Sequence, residues 1–311
     1  MMDHPDGGSP SGGTRPRRPS RAPGASPFRV AVTRPRPRGG GSEARDRLAR
    51  RLQARGLTPV HFPLLRLAPP ADRSPLKKSA AWTAAWASER SARNVHNGDP
   101  EGSTDSVWLM VTSANAVPPF LEALEAEGGS AAELRGAGVR VAAVGRATAR
   151  RLEAVGLSPE VVPRRFTAEA LLEALEAQGV SGHRVIFPRA DRAGETLPRG
   201  LEALGAHVMR ATAYRVVVDP QGAGRLARAV VRGELEAVTL TSGSAARALA
   251  RSWREEGAGQ AWPEATMMAV IGPVTAVDAR EAGLPVDVVP ERASLEALAD
   301  AVADVAADAA G

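Results

Sequence analysis

The 311-residue chain is long for one domain, and it is 43% hydrophobic but only 4% aromatic. Two cores built from Ala, Val and Leu, with helices packed on sheets, are therefore expected. There is no cysteine, which excludes disulfides, thiolate catalysis and Cys-based metal centres.

The five histidines (His4, His61, His96, His183, His207) show no ligand-like spacing, so no metal is expected. The net charge of +5 is uneven: residues 1–51 hold twelve arginines against four acidic residues, and the rest has 28 basic and 31 acidic groups. A basic tail on a slightly acidic body argues against nucleic-acid binding, which needs a basic face on the folded part. Arg17-Arg18 has no apolar stretch behind it, and no run of about 18 apolar residues follows anywhere. A cytoplasmic location with no membrane contact is expected.

Residues 1–27 are Gly, Pro, Ser and Arg with little to bury, and disorder is expected there. The first strand is read at 28–33, broken by Arg34-Pro35-Arg36-Pro37 and three glycines. A helix follows over 42–55, with Leu48 and Leu52 inward and Gly56 as its stop, and then a strand over 58–63. Residues 72–104 are polar and irregular apart from a helical piece around Trp82 and Trp86, and read as a disordered insertion. Strands at 107–112, 139–144 and 160–162 alternate with helices at 115–126, 148–155 and 168–178. Such alternation implies a mostly parallel sheet.

The chain repeats itself. A shift of 127 residues places Gly145 on Gly272, Thr148 on Thr275, Gly156-Leu157 on Gly283-Leu284, Pro163 on Pro290 and Leu171 on Leu298. Val111-Thr112-Ser113 matches Leu240-Thr241-Ser242 at a shift of 129. A weaker repeat links Arg29–Pro35 to Arg184–Ala190, so Arg34 and Arg189 fall at equivalent strand ends. The order is short unit, long unit, short unit, long unit. Pairing one with two and three with four, or one with four and two with three, fits the pattern equally.

The repeated segments are also the candidate site. Thr112, Ser113 and Asn115, then Thr241, Ser242 and Ser244, and the paired turns at Gly145 with Thr148 and Gly272 with Thr275 each follow the carboxyl end of an apolar strand. Open α/β sheets bind ligands there, and helix starts with small residues suit anions. Capping of their own helices is the plainer role for any one of them. Four such turns in two pairs point to an anion-binding cleft. No G-x-G-x-x-G or G-x-x-x-x-G-K-[ST] exists, so several separate anions, as in a polycarboxylate, fit better than a nucleotide. Arg34 and Arg189 are candidate carboxylate partners. Tyr214 is the single tyrosine, in an extended segment that leaves the third unit.

Val32-Thr33-Arg34-Pro35, Val111-Thr-Ser-Ala-Asn-Ala-Val117, Ala143-Val-Gly145-Arg-Ala-Thr-Ala149, Tyr214-Arg215, Leu240-Thr-Ser-Gly-Ser244 and Ile271-Gly-Pro-Val-Thr-Ala276 together resemble the ordered motifs of uroporphyrinogen-III synthases, over roughly residues 28–305. Val111 and Leu240 stand where that family usually has Phe. The resemblance implies an α/β protein of two similar lobes, each a mostly parallel sheet flanked by helices, joined by a two-strand linker. It implies the interleaved pairing: residues 28–64 with 219–311 form lobe 1, and 65–218 form lobe 2. It also implies a cofactor-free lyase acting on hydroxymethylbilane, which has eight carboxylates, held between the lobes. Tyr214 would assist departure of the hydroxyl as hydrogen-bond donor or general acid. Thr33, Arg34, Thr112, Ser113, Asn115, Gly145, Thr148, Arg189, Thr241, Ser242, Ser244, Gly272 and Thr275 would line the substrate site. A monomer is expected. The alternative is a non-catalytic two-lobed binder of a polycarboxylate.

Overall fold

The computed structural model describes residues 27–35, 46–97, 106–165, 167–256 and 260–308. Most of the tail expected to be disordered, residues 1–26, lies outside them. The chain divides into two compact units, one of residues up to Arg66 with Val218 onward, the other of Leu67–Val217.

In unit 1, β1 (Arg29–Val32) is flanked by β2 (Thr58–His61) and by β8 (Ala237–Leu240), with β9 (Met267–Val270) beyond, all parallel. Side chains alternate between two buried clusters: Val30 and Val32 face one, Ala31 the other. A parallel sheet covered on both faces reads as unbroken apolar runs, and β8 and β9 are buried throughout. One face is covered by α1 (Arg47–Ala54) and α11 (Leu295–Asp308), the other by α8 (Pro220–Val231), α9 (Gly243–Glu256) and α10 (Pro273–Glu281). Helix α1 starts later than the expected residue 42. Asp46 caps it by accepting from the Leu48 N–H at 2.8 Å, and residues 36–45 lie outside the described residues.

A ladder of ion pairs ties α1 to α11. Arg47 meets Glu296 at 2.6 Å, Arg51 and Arg55 both meet Asp300 at 2.9 Å, and Arg55 reaches Asp304 at 2.5 Å. The hydrogen bond from Arg51 is the main reason the Asp300 carboxyl is held below its usual pKa; the charges of Arg51 and Arg55 add to it. A lowered carboxylate pKa contributes stability above the unfolded-state value, and this is lost as pH falls through the folded value. Asp300→Asn is thus expected to lower the melting temperature by about 1–3 °C at neutral pH. In thermal melts across the acid range the gap to wild type closes; a pH-independent gap would contradict the ion-pair account.

Unit 2 is a five-stranded sheet in the order β3 (Leu65–Ala68), β7 (His207–Val218), β6 (Arg184–Ala190), β4 (Val107–Val111), β5 (Arg140–Ala143). The β7–β6, β6–β4 and β4–β5 pairs are parallel. The chain enters unit 2 along β3 and leaves along β7. On one face lie α2 (Ser74–Asn97), α3 (Val117–Ala126), α4 (Ala131–Gly136) and α5 (Arg146–Glu153). On the other lie α6 (Ala168–Ala177) and α7 (Thr196–Ala203).

Helix α2 corrects the expectation of a disordered insertion at 72–104. It is a 24-residue helix that buries Leu76, Ser79, Ala80, Thr83, Trp86 and Ala87, a stripe at helical spacing. Two of those residues are polar by type, which hid the stripe. Thr83 is made compatible with burial by donating to the Ser79 carbonyl at 2.6 Å. Residues 98–105 lie outside the described residues.

The internal repeat holds in three dimensions. Val161 forms a parallel bridge to Ala142, and 127 residues later Val288 forms the same bridge to Ala269. The third strand expected at 160–162 is no more than this bridge. Helices α5 and α10 begin at equivalent places after Gly145 and Gly272.

Candidate active site

All the repeated motifs lie at carboxyl ends of parallel strands. In unit 2, β4 ends at Val111, Thr112 follows it, and Ser113 opens a single 3₁₀ turn, Ala114–Ala116, ahead of α3. The Ser113 Oγ accepts from the Asn115 N–H at 3.3 Å, so its capping role is real. It is not its only contact. The Tyr214 hydroxyl, on β7, donates to the same Ser113 oxygen at 3.2 Å. Tyr214 is 6% exposed, and it sits opposite Ala190 just past a register shift at Arg189/Ala190. Such irregularities re-aim side chains near active sites. Helix α5 packs against this 3₁₀ turn, so Tyr214, Ser113, Asn115 and the Gly145 helix start share one edge of one sheet.

Thr148 and Thr275 behave alike. Each is the third residue of its helix, 5% and 6% exposed respectively. Neither hydroxyl has a hydrogen-bond partner among the described residues. Thr83, by contrast, spends its hydroxyl on its own helix. Gly145 and Gly272 have extended backbones at φ −148° and 174°, so neither is required for a left-handed turn. At Gly272 the requirement is space: a Cβ there would lie 3.0 Å from the Ala293 Cβ.

In unit 1, Ser242 caps α9 through the Ala245 N–H at 3.3 Å, and Ser244 is exposed. Thr112 and Thr241 are half-buried. Gly243 lets α9 approach α10, since a Cβ would fall 1.7 Å from an Asp278 carboxylate oxygen. Asp278 in turn takes Arg247 at 2.7 Å.

The remaining predicted residues are engaged within their own units. Thr33, 1% exposed, donates to the Thr239 carbonyl at 2.7 Å, and Thr239 donates to the Ala31 carbonyl at 2.7 Å. This reciprocal pair stitches β1 to β8. Arg34 meets the α1 cap Asp46 at 3.3 Å. Arg189 is 7% exposed, pairs with Glu195 at 2.7 Å and also donates to the Ala193 carbonyl. Its hydrogen bond is the leading cause that lowers the Glu195 pKa. Sequence reasoning found both arginines and missed their acids, which lie only 12 and 6 residues away.

Among the described residues no group of three or more His, Asp or Glu could hold a metal, and no helix is long and apolar enough to cross a membrane.

Fold and site together define a two-unit α/β protein with duplicated small-residue helix starts at its strand ends. The uroporphyrinogen-III synthase HemD family matches residues 46–300. A uroporphyrinogen-III synthase of Synechococcus elongatus is 28% identical over 237 residues, 75% of this chain and 80% of that one. A Methanothermobacter thermautotrophicus protein bearing the same family name is 42% identical over 104 residues, a stretch covering 33% of this chain and 41% of its own length. The crystal structure of the Helicobacter pylori uroporphyrinogen-III synthetase has the same fold, with a TM-score of 0.51 at 16% identity, covering 90% of this chain and all of that one. The chain belongs to the uroporphyrinogen-III synthase family, whose activity is the cyclising step of porphyrin biosynthesis.

Proposed function

We propose that this chain closes hydroxymethylbilane into uroporphyrinogen III, with Tyr214 at the reacting end and strand-end helix starts on the carboxylates. The observation that carries this reading is the Tyr214 hydroxyl, held 3.2 Å from Ser113 beside the Gly145 start. In the reaction the C–O bond of the terminal hydroxymethyl group breaks, driven by the pyrrole nitrogen's electron pair. The departing hydroxyl takes up one proton and leaves as water. The freed methylene bonds to the already substituted α-carbon of the last pyrrole, and the bond from that carbon to the neighbouring ring's methylene breaks. That methylene bonds instead to the open α-carbon, which releases a proton; the ring is closed with the last pyrrole inverted. With substrate bound, the Tyr214 O–H turns from the Ser113 Oγ to that hydroxyl as hydrogen-bond or proton donor, and the Ser113 hydroxyl donates in turn to the phenol oxygen and holds its direction.

Thr148 and Thr275, with their uncommitted hydroxyls, take carboxylates together with the first N–H groups of α5 and α10. Thr112, Asn115, Gly145, Thr241, Ser242, Ser244 and Gly272 shape the same starts. Thr33, Arg34 and Arg189 act through the loops they fix. The chain works as a cytoplasmic monomer and needs neither metal nor cofactor.

Purified protein with a chelator present is expected to consume hydroxymethylbilane well above the spontaneous rate. Tight binding with consumption no faster than the blank would instead make it a polycarboxylate-binding protein.

A further inference from the structure

The two Gly-x-x-Thr helix starts share a backbone and differ in charge. After Gly145 comes Arg146, exposed and without an ion-pair partner among the described residues. At the same edge the chain leaves Val161, which runs parallel beside Ala142, through Pro163 to Arg164 and Arg165. Both of these are exposed, and Arg165 alone has a weak partner, Glu173 at 3.5 Å. A shift of 127 residues puts Pro273 in place of Arg146, Glu291 in place of Arg164 and Arg292 in place of Arg165, so the difference lies at the first helical residue and at Arg164. The exposed face of the first turns of α10 is apolar instead: Val274 is 78% exposed and Val277 53%.

A helix N-terminus alone is only weakly selective for an anion. Here a second feature coincides with it, because the Thr148 side chain two positions after Arg146 is almost fully buried and its hydroxyl is uncommitted. A guanidinium, free N–H groups and a hydroxyl within one helical turn form a carboxylate-binding set that the unit 1 start cannot reproduce.

On the reading given above, we propose that Arg146 is a substrate-binding residue that takes one acetate or propionate side chain of the tetrapyrrole. The duplicated starts therefore differ in role, and the unit 2 start supplies the charged grip. A charge-assisted bond of this kind raises affinity roughly tenfold or more.

The test is steady-state kinetics on hydroxymethylbilane with the full chain. Arg146→Gln is expected to raise KM about tenfold with kcat within about twofold, and to flatten the rise of KM with salt that wild type shows. Arg146→Lys recovers part of the loss. Arg225→Gln, the same charge change on α8, leaves KM unchanged. Melting temperatures report whether each variant is folded. If Arg146→Gln keeps the wild-type KM and salt dependence while wild type still forms the type III isomer, Arg146 binds no carboxylate and the enzyme reading survives. If wild type forms no type III isomer, it is the reading itself that fails.

Discussion

Replacing Tyr214 by Phe is expected to slow ring closure by roughly a hundredfold or more while the protein stays folded. The substitution removes one oxygen from a ring packed against the unit 2 core. It costs one hydrogen bond, to Ser113 at 3.2 Å, which contributes about 1 kcal/mol to stability. Ser113 keeps its other bond to the Asn115 N–H, so the turn survives. Rate and stability therefore separate: kcat falls steeply and the melting temperature moves by a few degrees at most. Ser113→Ala, which leaves the phenol in place but undirected, is expected to fall between wild type and Tyr214→Phe. A Tyr214→Phe enzyme with wild-type kcat would show that the phenol takes no part in hydroxyl departure.

The largest loss of stability is expected from Gly222→Ala, a change of one methyl group. Gly222 sits in the first turn of α8, where Asp219 caps by accepting from the Gly222 N–H at 3.2 Å. The same Asp219 donates its own N–H to the Leu64 carbonyl at 2.8 Å, so the helix start lies directly on the backbone of residues 63–64. A Cβ on Gly222 would fall 1.8 Å from the Pro63 carbonyl oxygen. The obstacle is main chain, and no rotamer change relieves it. Either α8 lifts from the sheet or the Pro63–Leu64 segment shifts, and Leu64 is fully buried. Overpacking of this kind costs about 3 kcal/mol or more, which lowers the melting temperature of a unit this size by roughly 5–10 °C. Gly136→Ala is the control. It ends α4 with nothing within 4 Å of the new Cβ, and is expected to be neutral or stabilising by up to about 1 kcal/mol. Equal melting temperatures for the two variants would contradict the close approach at Pro63.

The strands and the paired helix starts were legible in the sequence because parallel strands buried on both faces are continuous apolar runs, and the turns after them repeat at a fixed offset. The bridges at Val161 and Val288 follow that offset to the residue. The pairing of units was not legible from pattern, since it rests on β1 lying beside β8, joined by Thr33 and Thr239 across 206 residues. Helix α2 was hidden because its buried stripe includes the polar Ser79 and Thr83; Thr83 bonds within the helix, and the Ser79 hydroxyl is buried without a partner among the described residues. At the site, Tyr214 could be singled out but its Ser113 partner, 101 residues away, could not. The two conspicuous arginines carried the opposite lesson. Arg34 and Arg189 read as candidate partners for substrate carboxylates, and each is paired with a nearby acid within its own unit.

The most direct measurement incubates purified protein with hydroxymethylbilane, oxidises the products and separates the uroporphyrin isomers by chromatography. Closure without an enzyme gives the type I isomer. Predominant type III is the expected result, since only a catalyst that holds the last pyrrole inverted forms it. Type I alone would contradict the account and leave a protein that binds the tetrapyrrole without closing it.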